Sequence, residues 1–592
     1  MAGGSVAVIY WMINFAAMSY RLGEPPTLDI IIFGGILTVV SLEMARRVTG
    51  WIIPAICFLA FLYNLDFVGP HLPTTLLNHG GFSINQTLEW LYGPTGVLGL
   101  VIEVFATYMV VFVLLGAFMQ RSGLGELFID LSLALTGRRT GGPGLAAVVA
   151  SSIFGMISGS PVSNVVTSGT FTIPLMKRVG YRSEFAAAVE AAASTGGIYM
   201  PPIMGAGAFL LAEFTGVGYF AVVKLAVVPA LVYFLSVGLM VYLEAAKRGL
   251  HGVPKSEIPE WRGILLRLHY VTPVPVMIGS LLLDNDAFIA AIHAIFSLIL
   301  VKVAEVVARA MVAPSGRLAL IRSGFWDVAR MTGASAVLGA RNLLPISALG
   351  GALGILLGVA DHTQLPLRFS ELLTGFAGDN LAFAVILVIG AGYFIGMGLP
   401  IIASYVVLAI FSVPALTALG VSALTAHFIA FWVATSSSVT PPVALAAYAG
   451  AAVAQADPVR TGFIATKLAS WIYLMPFLFI YTPLIEPDTP VGFWWITVAC
   501  FFALVAWSAG LQGRLVQNTS YVDRALFLLA ALFLVEGAQW LGPMGLGAYF
   551  LPTSFGYIFE ALVPWGRLLG FGAFTLAIAV QLRFLIGPRT AE

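Results

Sequence analysis

Long apolar runs separated by short polar or basic turns fill most of the chain, and in two places polar, helix-breaking residues interrupt such a run instead of bounding it. The first interruption is Ser158-Gly159-Ser160-Pro161-Val162-Ser163-Asn164, between apolar arms at Leu145–Ile157 and Val162–Ile173. Each arm holds roughly 13 residues, or about 20 Å of helix, against a hydrocarbon thickness of about 30 Å. The pattern predicts a re-entrant helical hairpin over 144–174. Ser160 is placed to cap the second arm with Pro161 at its first position, leaving amides that would welcome an anion. The free carbonyls of the first arm and the Ser158 hydroxyl suit a hard cation such as Na⁺. A proline kink, with Ser and Thr bonded back to their own helix, is the plainer alternative.

The pattern returns. Ala193-Ser194-Thr195-Gly196-Gly197 and Pro201-Pro202 break the next run, which predicts a discontinuous span over 184–212. In the second half, Gly396-Met397-Gly398-Leu399-Pro400 with Ser404 predicts a hairpin over 381–413. Thr435-Ser436-Ser437-Ser438-Val439-Thr440 and Pro441-Pro442 predict another broken span over 425–455. A shift of about 240 positions lays Gly180 on Gly420, Thr195 on Thr435 and Pro201-Pro202 on Pro441-Pro442, with Pro161 and Pro400 out by one. Paired interruptions of this kind mark the central site of a transporter built from internal repeats. The expected fold is therefore an all-α polytopic membrane protein with two repeats, inverted in topology, at 94–245 and 271–475. Scaffold helices are expected at 1–93, a C-terminal helical extension at 476–592, and a charged cytoplasmic linker at 246–270.

Composition agrees with a bilayer solvent: of 592 residues 59% are hydrophobic and 10% charged, with mean hydropathy +0.96, which excludes a soluble globular protein. A net charge of +1 and the lack of a long basic run give no reason to expect nucleic acid. Cys57 and Cys500 sit in apolar stretches and are expected as inert thiols, without disulfide or metal. The apolar N-terminus is not expected to be a cleaved signal peptide. Glu43-Met44-Ala45-Arg46-Arg47 reads as a cytoplasmic basic turn, and the Lys- and Arg-free stretch from Gly69 to Thr95 as periplasmic. That stretch reads either as a partner surface or as an interfacial loop, with Trp90 and Tyr92 at headgroup depth. Basic turns are also expected at Arg309, Arg317 and Arg322, and loop ends at Asp361-His362.

The run Gly155-Met156-Ile157-Ser158-Gly159-Ser160-Pro161-Val162-Ser163-Asn164-Val165-Val166, continuing to Ile173–Tyr181, resembles the large permease subunit of tripartite ATP-independent periplasmic (TRAP) transporters. Glu184–Gly197 with Pro201-Pro202, and Thr440–Ala449, resemble fused small-plus-large permeases that work with TAXI-type binding proteins. The likeness covers most of residues 20–475. It implies a multi-pass inner-membrane, elevator-type secondary importer, not an enzyme, fed by a periplasmic TAXI-type binding protein and driven by an ion gradient. It also implies that the N-terminal scaffold is a shortened small-subunit portion.

On these grounds Ser160, Ser163, Asn164, Arg341 and Ser404 are the candidates for holding a small organic anion, a carboxylate above all. Arg341 can pair a carboxylate bidentately, or snorkel or hold a scaffold carbonyl. Ser158, Gly159, Thr195, Gly196, Gly398, Thr435, Ser436, Thr440 and Glu190 are the ion-coupling candidates, for Na⁺ or a proton, with no cofactor. Pro161, Pro201, Pro202, Pro400, Pro441 and Pro442 are expected to break the helices and free backbone groups. A carboxylate as deep as Glu190 faces a cavity or a partner, whereas Glu184 is expected in an interfacial ion pair with nearby Lys177, Arg178 or Arg182, and His427 as a core or interface histidine. No Gly-rich phosphate loop ending in Lys-Ser/Thr is present, which implies gradient energy. Two rivals remain: a divalent-anion/Na⁺ symporter without a binding protein and, remotely, an intramembrane serine hydrolase pairing Ser160 with His427.

Overall fold

The computed structural model describes residues 2–19, 25–72, 77–205, 207–313, 315–378, 380–397, 399–487, 489–536 and 566–586. Every extended element among them is helical. Eight helices are long and apolar enough to cross a membrane among the described residues, as a chain without water to satisfy its backbone requires.

One set of helices forms around Arg317–Thr363, a 47-residue helix, about 70 Å long at 1.5 Å per residue. It packs along Leu28–Thr49, Ile52–Tyr63, Val110–Arg121 and Ala287–Val312. Small residues allow the approach: a Cβ on Gly354 would lie 2.5 Å from the Gly96 carbonyl oxygen, and one on Gly351 2.4 Å from Ser41 Oγ. In hydrocarbon, where no hydrophobic effect drives helices together, such close packing is a main source of cohesion.

The hairpins and broken spans form a second set. The first hairpin has arms Gly142–Ser158 and Pro161–Arg178, and the second Leu381–Gly396 and Ile401–Ala418. The arms are longer than expected: the second arms run through Pro174 and Pro414 to their next glycine turns, at Gly180 and Gly420, both with positive φ. At 17 residues the arm Gly142–Ser158 reaches about 26 Å, still short of a full crossing. The broken spans are Ser183–Gly196 followed by Gly207–Thr215, and Ala423–Ser436 followed by Leu445–Ala454. Each broken span sends its second piece across to the other half. Leu445–Ala454 packs on Ser183–Gly196, and Gly207–Thr215 packs on Ala423–Ser436. The crossings are tight, with a Cβ on Gly450 2.9 Å from the Ala187 oxygen and one on Gly207 2.4 Å from the Phe431 ring. At the centre Tyr199 stacks on Trp432 at 3.6 Å between ring centroids and donates to the Trp432 carbonyl at 3.0 Å.

Several turns expected from the sequence are helix. Leu28–Thr49 continues through Glu43–Arg47, where Arg46 and Arg47 pair with Glu43 at 2.6 and 2.9 Å. Arg309 lies inside Ala287–Val312, and Arg317 and Arg322 open the long helix. A single Arg on a helix flank leaves the 3.6-residue period intact, so charge alone does not end the element. Asp361-His362 forms the last turn of the long helix, and the His362 ring stacks on Phe82 and Trp90, 3.5 and 4.5 Å away. Trp90 and Tyr92 bond inward to the protein: the Trp90 indole donates to the Gly358 carbonyl at 2.9 Å, and the Tyr92 hydroxyl to that of Ala7 at 2.6 Å. His79 of the same loop is held below the usual histidine range, chiefly by burial.

Glu184 makes no ion pair among the described residues, because Arg178 pairs with Glu257 of the linker and Lys177 donates to the Ala454 carbonyl at 2.8 Å. The linker is ordered, with a helix at Trp261–Arg267 whose Arg267 reaches Asp130 at 2.6 Å. In the extension, Pro490–Gln512 packs on Tyr219–Arg248 and on Tyr521–Glu536, which in turn packs on Gly566–Ile586. Residues 537–565 and 587–592 of the expected extension lie outside the described residues.

Candidate functional site

At the first tip, Gly159 takes the left-handed conformation, φ +62°, that ends Gly142–Ser158. Ser160 is extended, and its hydroxyl accepts from the Ser163 amide at 3.4 Å, capping Pro161–Arg178 as the sequence implies. Pro161 has no N–H, and the Asn164 amide already bonds to the Ser160 carbonyl. The tip therefore offers an anion fewer amides than expected, chiefly that of Val162. The Ser158 hydroxyl turns onto the Ser160 backbone, 3.3 Å from its oxygen and 3.4 Å from its nitrogen. Asn164, a candidate for substrate, is buried and donates to the Ser151 carbonyl at 2.9 Å, which ties the arms together. Ser163, by contrast, is exposed, and Thr167 and Thr170 continue its face. A polar stripe on a short apolar arm fits a wet cavity at membrane depth.

Below the tip Glu190 is fully buried, 0% exposed, between three elements. Ser151 from the first arm donates to Oε1 at 2.5 Å, Thr172 from the second arm to Oε2 at 2.5 Å, and Ser168 contacts Oε1. Ser194, one turn along the same helix, stands 3.5 Å away. The sequence singled out Glu190 and missed its hydroxyl partners, although Asn164, Ser168 and Thr172 recur every four residues and so share one face.

The second tip is built differently. Pro400 precedes Ile401–Ala418 without a side-chain cap, so the Ile401, Ile402 and Ala403 amides head the helix uncapped. Ser404 Oγ and Ser436 Oγ are buried without a hydrogen-bond partner. A Cβ on Gly396 would lie 2.8 Å from Ser437 Oγ and 3.0 Å from Ser404 Oγ, so hydroxyls converge on this glycine. Of the two hydroxyls at this glycine, Ser437 donates to the Ala434 carbonyl at 3.3 Å and Ser404 is orphaned, which leaves the Ser404 oxygen as a candidate ligand for a hard cation. Ser404 thus joins the cation candidates more naturally than the anion ones.

The threonine candidates donate their hydrogens to their own helices, which leaves their oxygen lone pairs to accept. Thr195 bonds back to the Ala191 carbonyl at 2.8 Å and Thr435 to that of Trp432 at 2.7 Å, while Thr440 reaches the Ser436 carbonyl at 2.7 Å and also contacts the Tyr473 hydroxyl. Gly196 is a packing residue, since a Cβ there would meet the Tyr233 ring at 2.2 Å. Gly398 lies outside the described residues. Pro201-Pro202 and Pro441-Pro442 stand at the two breaks, each joined by a cis bond. The Ser160–His427 pairing is not made, because His427 Nδ1 stands 3.0 Å from the Tyr405 hydroxyl and Ser160 caps its own helix.

Arg341 is exposed on the long helix. Two residues earlier, a Cβ on Gly339 would lie 3.2 Å from Leu114 Cα, and on the same helix as Leu114 a Cβ on Gly116 would lie 2.8 Å from the Ile157 oxygen. Through this shared neighbour, Arg341 stands close to the depth of the first hairpin tip.

Residues 25–485 match the family model "Tripartite ATP-independent periplasmic transporter, DctM component". Over 178 residues the chain is 33% identical to the C4-dicarboxylate TRAP transporter large permease protein DctM of Pseudomonas aeruginosa, covering 29% of this chain and 41% of that protein. Over 341 residues it is 24% identical to the sialic acid TRAP transporter large permease protein SiaM of Vibrio cholerae, covering 57% and 74%. The matched stretches span 41% and 33% of the lengths of two C4-dicarboxylate permeases, from P. aeruginosa and V. cholerae. Among solved structures, the Alcanivorax borkumensis YdaH transporter is similar at TM-score 0.41 and 14% identity, over 80% of this chain and 97% of that one. With the model matched across both hairpins and both broken spans, the chain belongs to the DctM component family of tripartite ATP-independent periplasmic transporters.

Proposed function

We propose that this chain is the inner-membrane permease of a secondary importer that takes up a small organic anion, a carboxylate, from a periplasmic binding protein of the TAXI type. The reading rests on the second tip, where uncapped amides head Ile401–Ala418 and the Ser404 hydroxyl of its first turn is buried without a partner beside Gly396; the Ser436 hydroxyl, at the end of Ala423–Ser436, which packs on the same arm, is buried and unpartnered too. Amides favour the anion and hydroxyls the cation, so each lowers the desolvation cost of the other. That reciprocity is the coupling a symporter needs. The mutual exchange of broken-span segments supports two inverted repeats moving as one body against the helices around Arg317–Thr363 in an elevator motion. Arg341, on those stationary helices close to the depth of the first tip, would meet the substrate carboxylate across the cleft.

Ser404→Ala and Ser436→Ala test the cation cradle. Each removes one oxygen ligand from an ion that takes about six, a loss of roughly 1.4 kcal/mol that raises the Na⁺ concentration for half-maximal uptake about tenfold. Uptake at saturating Na⁺ should be nearly restored. An unchanged Na⁺ dependence in both variants would remove Na⁺ from this site.

A further inference from the structure

Glu190 is a carboxyl group sealed from the surface, with no charged partner among the described residues. The ionisable side chains of the elements packed on its helix are all committed elsewhere or distant from it. Lys177 and Tyr233 bond to the Ala454 and Ala192 carbonyls, Arg178 pairs with Glu257, and Lys467 donates to Gln512 Oε1. Glu184, Tyr448, Arg460, Lys224, Tyr242, Glu244, Lys247 and Arg248 make no hydrogen bond or ion pair with Glu190 among the described residues, and the arm Gly142–Ser158 carries no ionisable side chain. An ionised carboxylate so placed costs several kcal/mol even with hydroxyls donating to it.

Two ligands could neutralise it, a metal cation or a proton. A coordinated cation holds its oxygens apart, each about 2.3–2.6 Å from the ion for a hard ion of this size, so that neighbouring oxygens are kept from touching one another. Here the Ser151 and Thr172 hydroxyl oxygens stand 2.5 Å from the carboxyl oxygens themselves, and Ser168 contacts Oε1 directly. The oxygens are thus hydrogen-bonded to one another and not spaced about an ion, and a proton removes the charge that burial disfavours. The hydrogen supply fits as well: Ser168 also stands 2.7 Å from the Asn164 carbonyl, so when its hydrogen turns there, the Ser168–Glu190 contact takes its hydrogen from the carboxyl.

The arrangement belongs to the first half alone. The shift of 240 positions that aligns the broken spans places Leu408 at Ser168, Ser412 at Thr172, Ala430 at Glu190 and Ala434 at Ser194. Only one hydroxyl survives there, and it bonds back to its own helix, from Ser412 to the Leu408 carbonyl at 2.7 Å. The first cluster is therefore not a packing requirement of the repeat.

We propose that Glu190 binds a proton, and that this proton latches both arms of the first hairpin to helix Ser183–Gly196. Ser151 belongs to one arm, Ser168 and Thr172 to the other, and a neutral carboxyl joins all three without a charge to bury. Loss of the proton leaves a buried charge that water must reach, which lifts the hairpin off the helix. Asn164 links the latch to the tip, through its bond to the Ser151 carbonyl and the Ser168 bond to its own carbonyl. The protonation of Glu190 and the closure of the tip over substrate then favour each other. This role rests on the transport reading for its purpose, but not for its measurement.

The test is infrared spectroscopy of the full chain in lipid vesicles. At neutral pH the wild type should show the C=O stretch of a buried, protonated carboxylic acid, shifted slowly by D₂O, and Glu190→Gln should lose that one band. Thr172→Val should keep the band at a higher frequency, since one hydrogen bond is gone. A thiol probe on Val165→Cys then reads the hairpin, because Val165 is buried beneath it and Cys57 and Cys500 are buried as well. Beyond the rise that ionisation of any thiol gives, labelling at alkaline pH should increase on the order of tenfold more with Glu190 in place than when Glu190→Gln is added. A wild-type spectrum with no band lost in Glu190→Gln at neutral pH would overturn the protonated carboxyl. An equal rise in labelling with and without Glu190→Gln would overturn the latch. Neither readout needs substrate or binding protein, so the transport assignment could fail while this one stands.

Discussion

Uptake is expected to fall about a hundredfold when Arg341 is replaced by alanine, and Arg341→Lys is expected to recover only a small part of it. A bidentate guanidinium–carboxylate pair is worth more than a single charge contact, and losing about 2.7 kcal/mol of it is two decades in affinity. The loss should appear as weaker substrate dependence, with the folded yield by size-exclusion chromatography unchanged, because Arg341 is exposed. A lysine variant that transports like wild type would instead mean that Arg341 only carries a charge to the membrane surface.

A large effect on folding is expected at the contact between Gly155 and Gly197. A Cβ on Gly155 would lie 2.6 Å from Gly197 Cα, and one on Gly197 would lie 2.4 Å from Gly155 Cα. Both neighbours are backbone and cannot rotate away, so Gly197→Ala must push the first hairpin off the broken span. Overpacking of this kind costs about 1–3 kcal/mol, and here the upper end applies. The thermal transition in detergent should drop by several degrees, with loss of uptake. Gly390→Ala is the control: it sits on a second-hairpin arm with open space around the added methyl and should leave stability unchanged or slightly raised. Equal behaviour of the two variants would contradict the close approach.

Local chemistry made the hairpins readable from sequence. Ser160 before Pro161 is a cap and a first helical residue, and both do in the structure what their side chains dictate. Gly180 and Gly420 end the second arms as glycines with positive φ. What local pattern does not carry is who meets whom. The serines at 151, 168 and 194 look like ordinary small residues of packed membrane helices, and only the fold brings them to Glu190. Asn164 looked like a ligand for substrate because it sits at a polar tip, yet its amide holds the two arms together. The same limit applies to His362, read as a loop residue from its polar neighbours: its packing between Phe82 and Trp90 depends on a loop some 270 residues away in sequence. The second arms run past the expected hairpin ends at 174 and 413 because Pro174 and Pro414 are accommodated inside their helices.

Coupling of an organic anion, supplied by a binding protein, to an ion gradient is tested by uptake of candidate carboxylates into proteoliposomes, with and without purified TAXI-type binding protein, under an imposed Na⁺ or proton gradient. Uptake is expected only when binding protein and a gradient are both present, with no requirement for ATP. Gradient-driven uptake of free substrate at the same rate without the binding protein would contradict this expectation and identify a stand-alone symporter.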